Sequence, residues 1–346
     1  MPDNRESEVI ELVKNFPDCS SKDIFARISF TVSYATIKRI LKKLVSEDLL
    51  AINGQGKRTR YTISPAYELL QTIDLDNYYQ KEIDDRQIKE SFNFQLLTHV
   101  LNKHNVFTGD ELNELETLQD KYRYNIAQLA KPEYKKELER LAIDLSWKSS
   151  QIEGNTYSLL ETERLLKDKE TASGKTKEEA IMLLNHKDAI DFIIENPGYL
   201  HPLSISKIED IHSLLVKELA IDRNIRNRRI GISGTNYRPL DNIFQISEAL
   251  STTCELINRK ENIFEKALLA LVLISYIQPF TDGNKRTARI VSNAVLMHAR
   301  YCPMSFRTVD SIDYKKAMLL FYEQNNISGI KDIFIKQFEF AVNTYF

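Results

Sequence analysis

From Phe92 onward the apolar residues return every three or four positions, and a chain spaced that way hides one face most simply by coiling into helices. Phe94, Leu97 and Leu101 open the pattern, Leu112, Leu115, Leu118 and Tyr122 continue it, and Leu138, Leu141, Ile143 and Leu145 mark a further helix. Residues 267–277 are apolar on every side, which reads as a helix buried all round. That run is about half of the ~20 residues a membrane span needs, so no membrane partner is expected. Glycine and proline together supply only 19 of the 346 residues. This is roughly half of average usage, too few for a sheet-rich sandwich or a glycine-looped dinucleotide fold. The expected class is therefore mainly α, and 346 residues suit two or three domains. Residues 1–8 are polar and acidic without the apolar core of an export signal, which makes the cytoplasm the expected location. Cys19, Cys254 and Cys302 are odd in number and widely spaced, so they suggest neither a disulfide framework nor a zinc site.

Residues 5–64 read differently. Val9, Ile10 and Val13 set one helix face; Ser20 or Ser21 caps a short helix with Ile24, Phe25 and Ile28; Ser33 starts a third with Ile37, Ile40, Leu41, Leu44 and Val45. Residues 49–52, a turn of Asn53, Gly54, Gln55 and Gly56, and residues 57–63 then form strand, turn and strand. This order resembles the winged helix-turn-helix family. Lys38, Arg39, Lys42, Lys43, Lys57, Arg58 and Arg60 face only Glu47 and Asp48 over residues 33–60, a net charge of +5. A basic helix fits the major groove and a basic wing reaches phosphate, so these seven residues are the candidate DNA contacts. The alternative is a solvated basic face used for dimerisation or protein docking.

The most chemically informative stretch is Gln278, Pro279, Phe280, Thr281, Asp282, Gly283, Asn284, Lys285, Arg286, Thr287, Ala288 and Arg289. An apolar helix enters a proline and a polar turn, and a second helix with Ile290, Val291, Ala294 and Val295 leaves it. Unpaired amides and the positive dipole at that helix start favour an anion. Lys285, Arg286 and Arg289 add fixed charge, and Lys285 and Arg289, four apart, can face one phosphate chain. Asp282 offers a hard oxygen ligand for Mg2+. The set suits a triphosphate.

The stretch resembles the Fic (Fido) motif HPFx[D/E]GN[G/K]RxxR, agreeing at Pro279, Phe280, Asp282, Gly283, Asn284, Lys285, Arg286 and Arg289. Residues 149–155, from Ser149 through Glu153 to Asn155, resemble the family's inhibitory (S/T)xxxE(G/N) element. Residues 228–237, including Ile230, Gly231 and Ile232, resemble its flap hairpin, which holds a target segment by strand addition. The resemblance implies Mg2+ and ATP as ligands, with Asp282 on the metal and Gly283, Asn284 and Lys285 lining an anion nest. It further implies Arg286 on α- or β-phosphate oxygens and Arg289 on the γ-phosphate. Glu153 would pair with Arg289 and compete with phosphate for its fork. Where the family has a catalytic histidine stands Gln278, whose amide has no basic nitrogen. None of His99, His104, His186, His201, His212 and His298 occurs in these motifs.

The expected layout is a winged helix-turn-helix at 1–64, a charged helical connector at 65–91 and an all-helical Fic core with a β-hairpin flap at 92–346. The resemblance implies an auto-inhibited protein adenylyltransferase, moving AMP from ATP to a protein hydroxyl, with activity impaired by Gln278. The Asn-Lys-Arg sequence also occurs in the phosphorylating Doc-type branch, so the phosphate attacked stays open. The alternative is a DNA-binding transcriptional regulator whose Fic core senses Mg-nucleotide without catalysis. Homodimers are common in the family and compatible with this chain, and no segment names the protein target.

Overall fold

The structure, a computed structural model, describes residues 4–346. The first three residues of the stretch read for an export signal, and of the 1–64 unit, lie outside them. The chain is mainly α and forms two compact units, one ending at Thr72 and one spanning Ile73–Phe346. No helix among the described residues is long and apolar enough to cross a membrane.

In the first unit α1 (Asn4–Asn15), α2 (Ser21–Arg27) and α3 (Tyr34–Ser46) precede an antiparallel pair, β1 (Leu50–Asn53) and β2 (Arg60–Ile63), with α4 (Pro65–Leu70) after it. Ser20 is the cap of α2, its Oγ accepting from Asp23 N while its own N–H donates to the Asp23 carboxylate, and Ser33 caps α3. Val9, Val13, Ile24, Ile37, Leu41 and Leu44 make the core. Residues 57–59, expected as strand, instead belong to a tight turn: Gly56–Arg58 is 3-10, with Thr59 donating through its N–H and hydroxyl to the Gly56 carbonyl. Gly54 at φ +78 is required there, since a Cβ would sit 2.6 Å from the Arg58 carbonyl oxygen.

The second unit begins with α5 (Leu75–Tyr79) and an irregular stretch that reaches a π-type turn (Leu96–Val100) and α6 (Leu101–Lys103). Then follow α7 (Gly109–Gln128), α8 (Lys131–Ile152), α9 (Leu159–Asp168), α10 (Lys177–Glu195) and α11 (Ile205–Leu215). After a long loop come α12 (Ile243–Arg259), α13 (Ile263–Ile277), α14 (Asn284–His298), α15 (Ser311–Gln324) and α16 (Ser328–Tyr345). Every residue from 267 to 277 is buried, so α13 is the axis of the bundle, and α14 is the helix most extensively packed on it. Segment 65–91 is divided between the units: α4 closes the first, whereas residues 73–91 pack on α15.

The flap also departs from expectation. Residues 228–237 form no ladder; β1 and β2 are the only paired strands among the described residues. Arginines hold the segment at its ends and turn instead: Arg226 donates to Arg228 O at 2.8 Å and, just beyond the segment, to Leu240 O at 2.5 Å, and Arg86 donates to Gly234 O at 3.0 Å.

Candidate functional site

The α13–α14 loop is fixed from both sides. Gln278 ends α13 at φ +52, and Gly283 at φ +81 turns the chain into α14. Asn284 braces the loop, accepting from Phe280 N at 2.8 Å and donating to Phe280 O at 2.8 Å. Arg226, 1 % exposed, donates through Nε to Gln278 O at 2.6 Å. Beneath, the His212 ring stacks on Phe280 at 3.7 Å, and its Nε2 lies 2.9 Å from Asp282 O.

The loop borders a cavity of about 360 Å³, within the range of small-ligand sites. Its wall includes Asp282, Gly283, Asn284, Lys285 and Arg286 from the loop and helix start, Glu153 after α8, and Tyr314, Met318 and Tyr322 of α15. Ile230, Gly231 and Ile232 close the opposite side. Arg289 stands behind, fully buried, its guanidinium 5.3 Å from the Tyr314 ring centroid.

The donors of this wall are unequally satisfied. Arg286 reaches Asp282 Oδ2 at 3.2 Å through one nitrogen, while its buried Nε and Nη1 have no partner. Orphaned guanidinium donors beside a helix N-terminus suit phosphate oxygens. The Asp282 carboxylate, though paired with Arg286, is 63 % exposed and so open to sharing a cation with such a ligand. No group of three or more His, Cys, Asp or Glu able to hold a metal occurs among the described residues, so Mg2+ here would depend on the phosphates for its other ligands.

Glu153 already occupies the cationic side. Its Oε1 accepts from Arg289 at 2.8 Å and its Oε2 from Lys285 at 3.3 Å. Burial works against its charge, but Arg289 and Lys285 outweigh it and hold the pKa below the ordinary 4.5. Ser149, one helical turn earlier, accepts from Arg289 Nε at 2.8 Å and, through its carbonyl, from Nη2 at 2.9 Å. Behind Ser149 Oγ, at 2.6 Å, lies Nε2 of His186, kept neutral by full burial and by the nearby Arg289 and Arg286 charges. A carboxylate with a lowered pKa contributes stability above its unfolded pKa and loses it as pH falls through the lower folded value. The Glu153 clamp should therefore be constant from pH 5 upward and open only below the ordinary value of 4.5. Intrinsic fluorescence of Trp147, which lies on α8 two residues before Ser149, recorded across an acid titration of native chain and Glu153→Gln, checks this; a native-specific transition near pH 7 would contradict it.

Gln278 is committed to structure. Its Nε2 donates to Ser275 O at 2.7 Å and its Oε1 accepts from Asn284 Nδ2 at 3.0 Å. No histidine lines the cavity to serve in its place. Arg226, His186 and Tyr314 had no sequence signal: each is a single residue whose role arises from contacts far away in the chain.

In the first unit Lys38, Arg39, Lys42, Lys57 and Arg58 are exposed and Arg60 is half-buried. Lys43 differs, its ammonium lying 2.5 Å from buried Glu6 of α1 and 3.8 Å from Glu47. That contact ties α3 to α1.

Comparison with known proteins finds two families in different parts of the chain, and the N-terminal match runs past Thr72 into the second unit. Residues 202–296 match the Fic/DOC family, and residues 3–121 match the penicillinase repressor family. Protein adenylyltransferase Fic of Nematostella vectensis is 29% identical over 181 residues, 48% of this chain and 40% of that protein. Protein adenylyltransferase fic-1 of Caenorhabditis elegans is 26% identical over 161 residues, 44% of this chain and 31% of that protein. The chain thus spans less than half the length of these relatives. Among solved structures, a fragment of Fic-1 from C. elegans has a TM-score of 0.57 at 19% identity, covering 68% of this chain and 71% of that one. A Fic domain-containing signaling protein from Bacteroides thetaiotaomicron has a TM-score of 0.59 at 18% identity, covering 67% and 95%. The Fic/DOC match includes residues 278–289, Arg226 and the flap, whereas Glu153 and residues 73–91 precede it.

Proposed function

We propose that the second unit binds Mg-ATP in the cavity at the start of α14, that Glu153 holds it closed, and that it is a protein adenylyltransferase of Fic type with an impaired chemical step. The observation that carries this is the Glu153 carboxylate on Arg289 and Lys285, beside the orphaned donors of Arg286. An anion already bound by the protein marks where the phosphates would go and competes for the same donors. Gly283, Asn284 and Lys285 would cradle the phosphates with backbone amides, Arg286 would hold α- or β-phosphate oxygens and Arg289 the γ-phosphate. Asp282 would hold Mg2+, which when bound supplies positive charge to the phosphates.

Adenylyl transfer forms a bond between a target hydroxyl oxygen and the α-phosphorus and breaks the bond to pyrophosphate, and the hydroxyl proton must leave. Gln278 cannot take it, so the step loses the roughly 10²- to 10⁴-fold that a general base contributes. Ile230, Gly231 and Ile232 would present backbone to an extended target segment. Transfer of label from α-³²P-ATP into lysate protein tests the reading, comparing native chain, Glu153→Gly, Gln278→His and the double variant.

A second reading is favoured by two observations: the locked Gln278 amide and the penicillinase repressor match over residues 3–121. Here the first unit is a winged helix on DNA and the second senses Mg-ATP without transferring it. Lys38 and Lys42, exposed and one helical turn apart on α3, would each neutralise a phosphate. Replacing both by alanine should weaken binding to random duplex DNA and lower the slope of log K against log salt by about 2. An unchanged slope in a fluorescence-anisotropy salt series would remove the two lysines from any DNA interface. ATP-dependent DNA affinity without labelling would favour sensing over transfer.

A further inference from the structure

Residues 73–91 have no part in the chemistry above, yet they carry a deeply buried cation. The Arg86 side chain is 3 % exposed, and its partner Glu323, on α15, is 0 % exposed. Nη1 donates to the two Glu323 oxygens at 3.1 and 3.3 Å, while Nη2 donates to the Gly234 carbonyl at 3.0 Å. Gly234, at φ +90, forms the turn of the flap. The same strap grips the flap twice more: Asp84 accepts from Asn236 Nδ2 at 3.1 Å, and the Glu90 carbonyl accepts from Arg238 N at 2.8 Å.

These contacts have a directional logic. Glu323 sits on the helix whose Tyr314, Met318 and Tyr322 wall the cavity, so one guanidinium ties the flap turn to that wall. A buried ion pair is a poor source of stability compared with well-packed apolar side chains, and a planar fork is suited to fixing several acceptors at once. Among the described residues no hydrogen bond engages the backbone of Ile230, Gly231, Ile232 or Ser233, so the flap owes its position to anchors at its ends and turn.

We propose that Arg86 is a positioning residue for the flap, setting the gap between residues 230–233 and α15 through which a target segment reaches the anion cradle. This rests on the cavity being the Mg-ATP and target site.

The test uses the full chain with Arg86→Met and Glu323→Met together, which leaves no lone buried charge, and with Arg86→Lys alone, which keeps a charge on Glu323 but lacks the fork. Amide hydrogen exchange is read at the flap amides that are hydrogen-bonded, Tyr237 N on Thr235 Oγ1 at 3.1 Å and Arg238 N on the Glu90 carbonyl at 2.8 Å, and over α13 and α14. In the double variant the flap should exchange roughly tenfold faster while α13 and α14 stay within about twofold of native, with Arg86→Lys falling between. Unchanged flap exchange, or acceleration of all segments alike, would overturn the proposal, the latter because it marks a merely structural pair. Mg-ATP titration of Glu153→Gly, with and without the double substitution, separates the two claims. Retained binding in both is expected, because the cradle is untouched. Absence of binding in the Glu153→Gly parent would overturn the nucleotide reading, and with it the role given to the gap, whatever the exchange shows.

Discussion

Gln278→His, made in a chain that also carries Glu153→Gly, should raise transfer of α-labelled AMP into protein by about 10²- to 10⁴-fold over Glu153→Gly alone. The position can accept the ring. Gln278 sits at φ +52, a left-handed conformation in which histidine is better tolerated than most side chains. Its backbone is held by Ile274 O at 3.1 Å and by Arg226 at 2.6 Å, contacts that do not involve the side chain. Removing the amide frees the Ser275 carbonyl and Asn284 Nδ2, and Asn284 keeps its two bonds to Phe280. Gel quantification of label, at equal protein, reads the result. Equal labelling by the single and double variants would mean that the missing base is no barrier.

Glu153→Gly should carry a stability cost that Mg-ATP reverses. The substitution leaves Arg289, 0 % exposed, and Lys285 without their carboxylate. Losing one partner of a buried pair costs about 3–5 kcal/mol, here toward the lower end because Glu153 keeps 20 % exposure. For a unit of this size that is a fall in melting temperature of roughly 6–12 °C. Mg-ATP at a hundred times its Kd should restore about 2.7 kcal/mol. Glu153→Gln, which retains an acceptor for Arg289 but no charge, should fall between. Differential scanning fluorimetry with and without Mg-ATP checks both halves, and a variant that melts with the native chain and ignores nucleotide would contradict them.

How much of this was legible in the sequence follows from the range of each interaction. The α13–α14 loop could be read because its parts are contiguous: an apolar run, a proline, a polar turn with a glycine, and charges at helical spacing. Ser149 and Glu153 could be flagged only through resemblance, since their partner Arg289 lies more than a hundred residues away and nothing local marks the pair. Arg86 was invisible, because residues 65–91 look like solvated charge and the burial of one arginine depends on Glu323 and Gly234. The flap shows the converse error. Resemblance alone suggested a hairpin there, but no ladder forms, and arginines far away in the chain hold the segment at its base and turn. On α3, composition gave a uniform basic face, and only packing revealed that Lys43 answers buried Glu6.

The most direct test of the central claim is calorimetric titration of Mg-ATP into the native chain and into Glu153→Gly. Hydrogen bonds to charged groups contribute about 1.5–3 kcal/mol each, so freeing Arg289 for phosphate should tighten binding by on the order of 10²-fold. Equal affinities in the two proteins, or no binding heat in either, would contradict the account of Glu153 as the anion that keeps a nucleotide out.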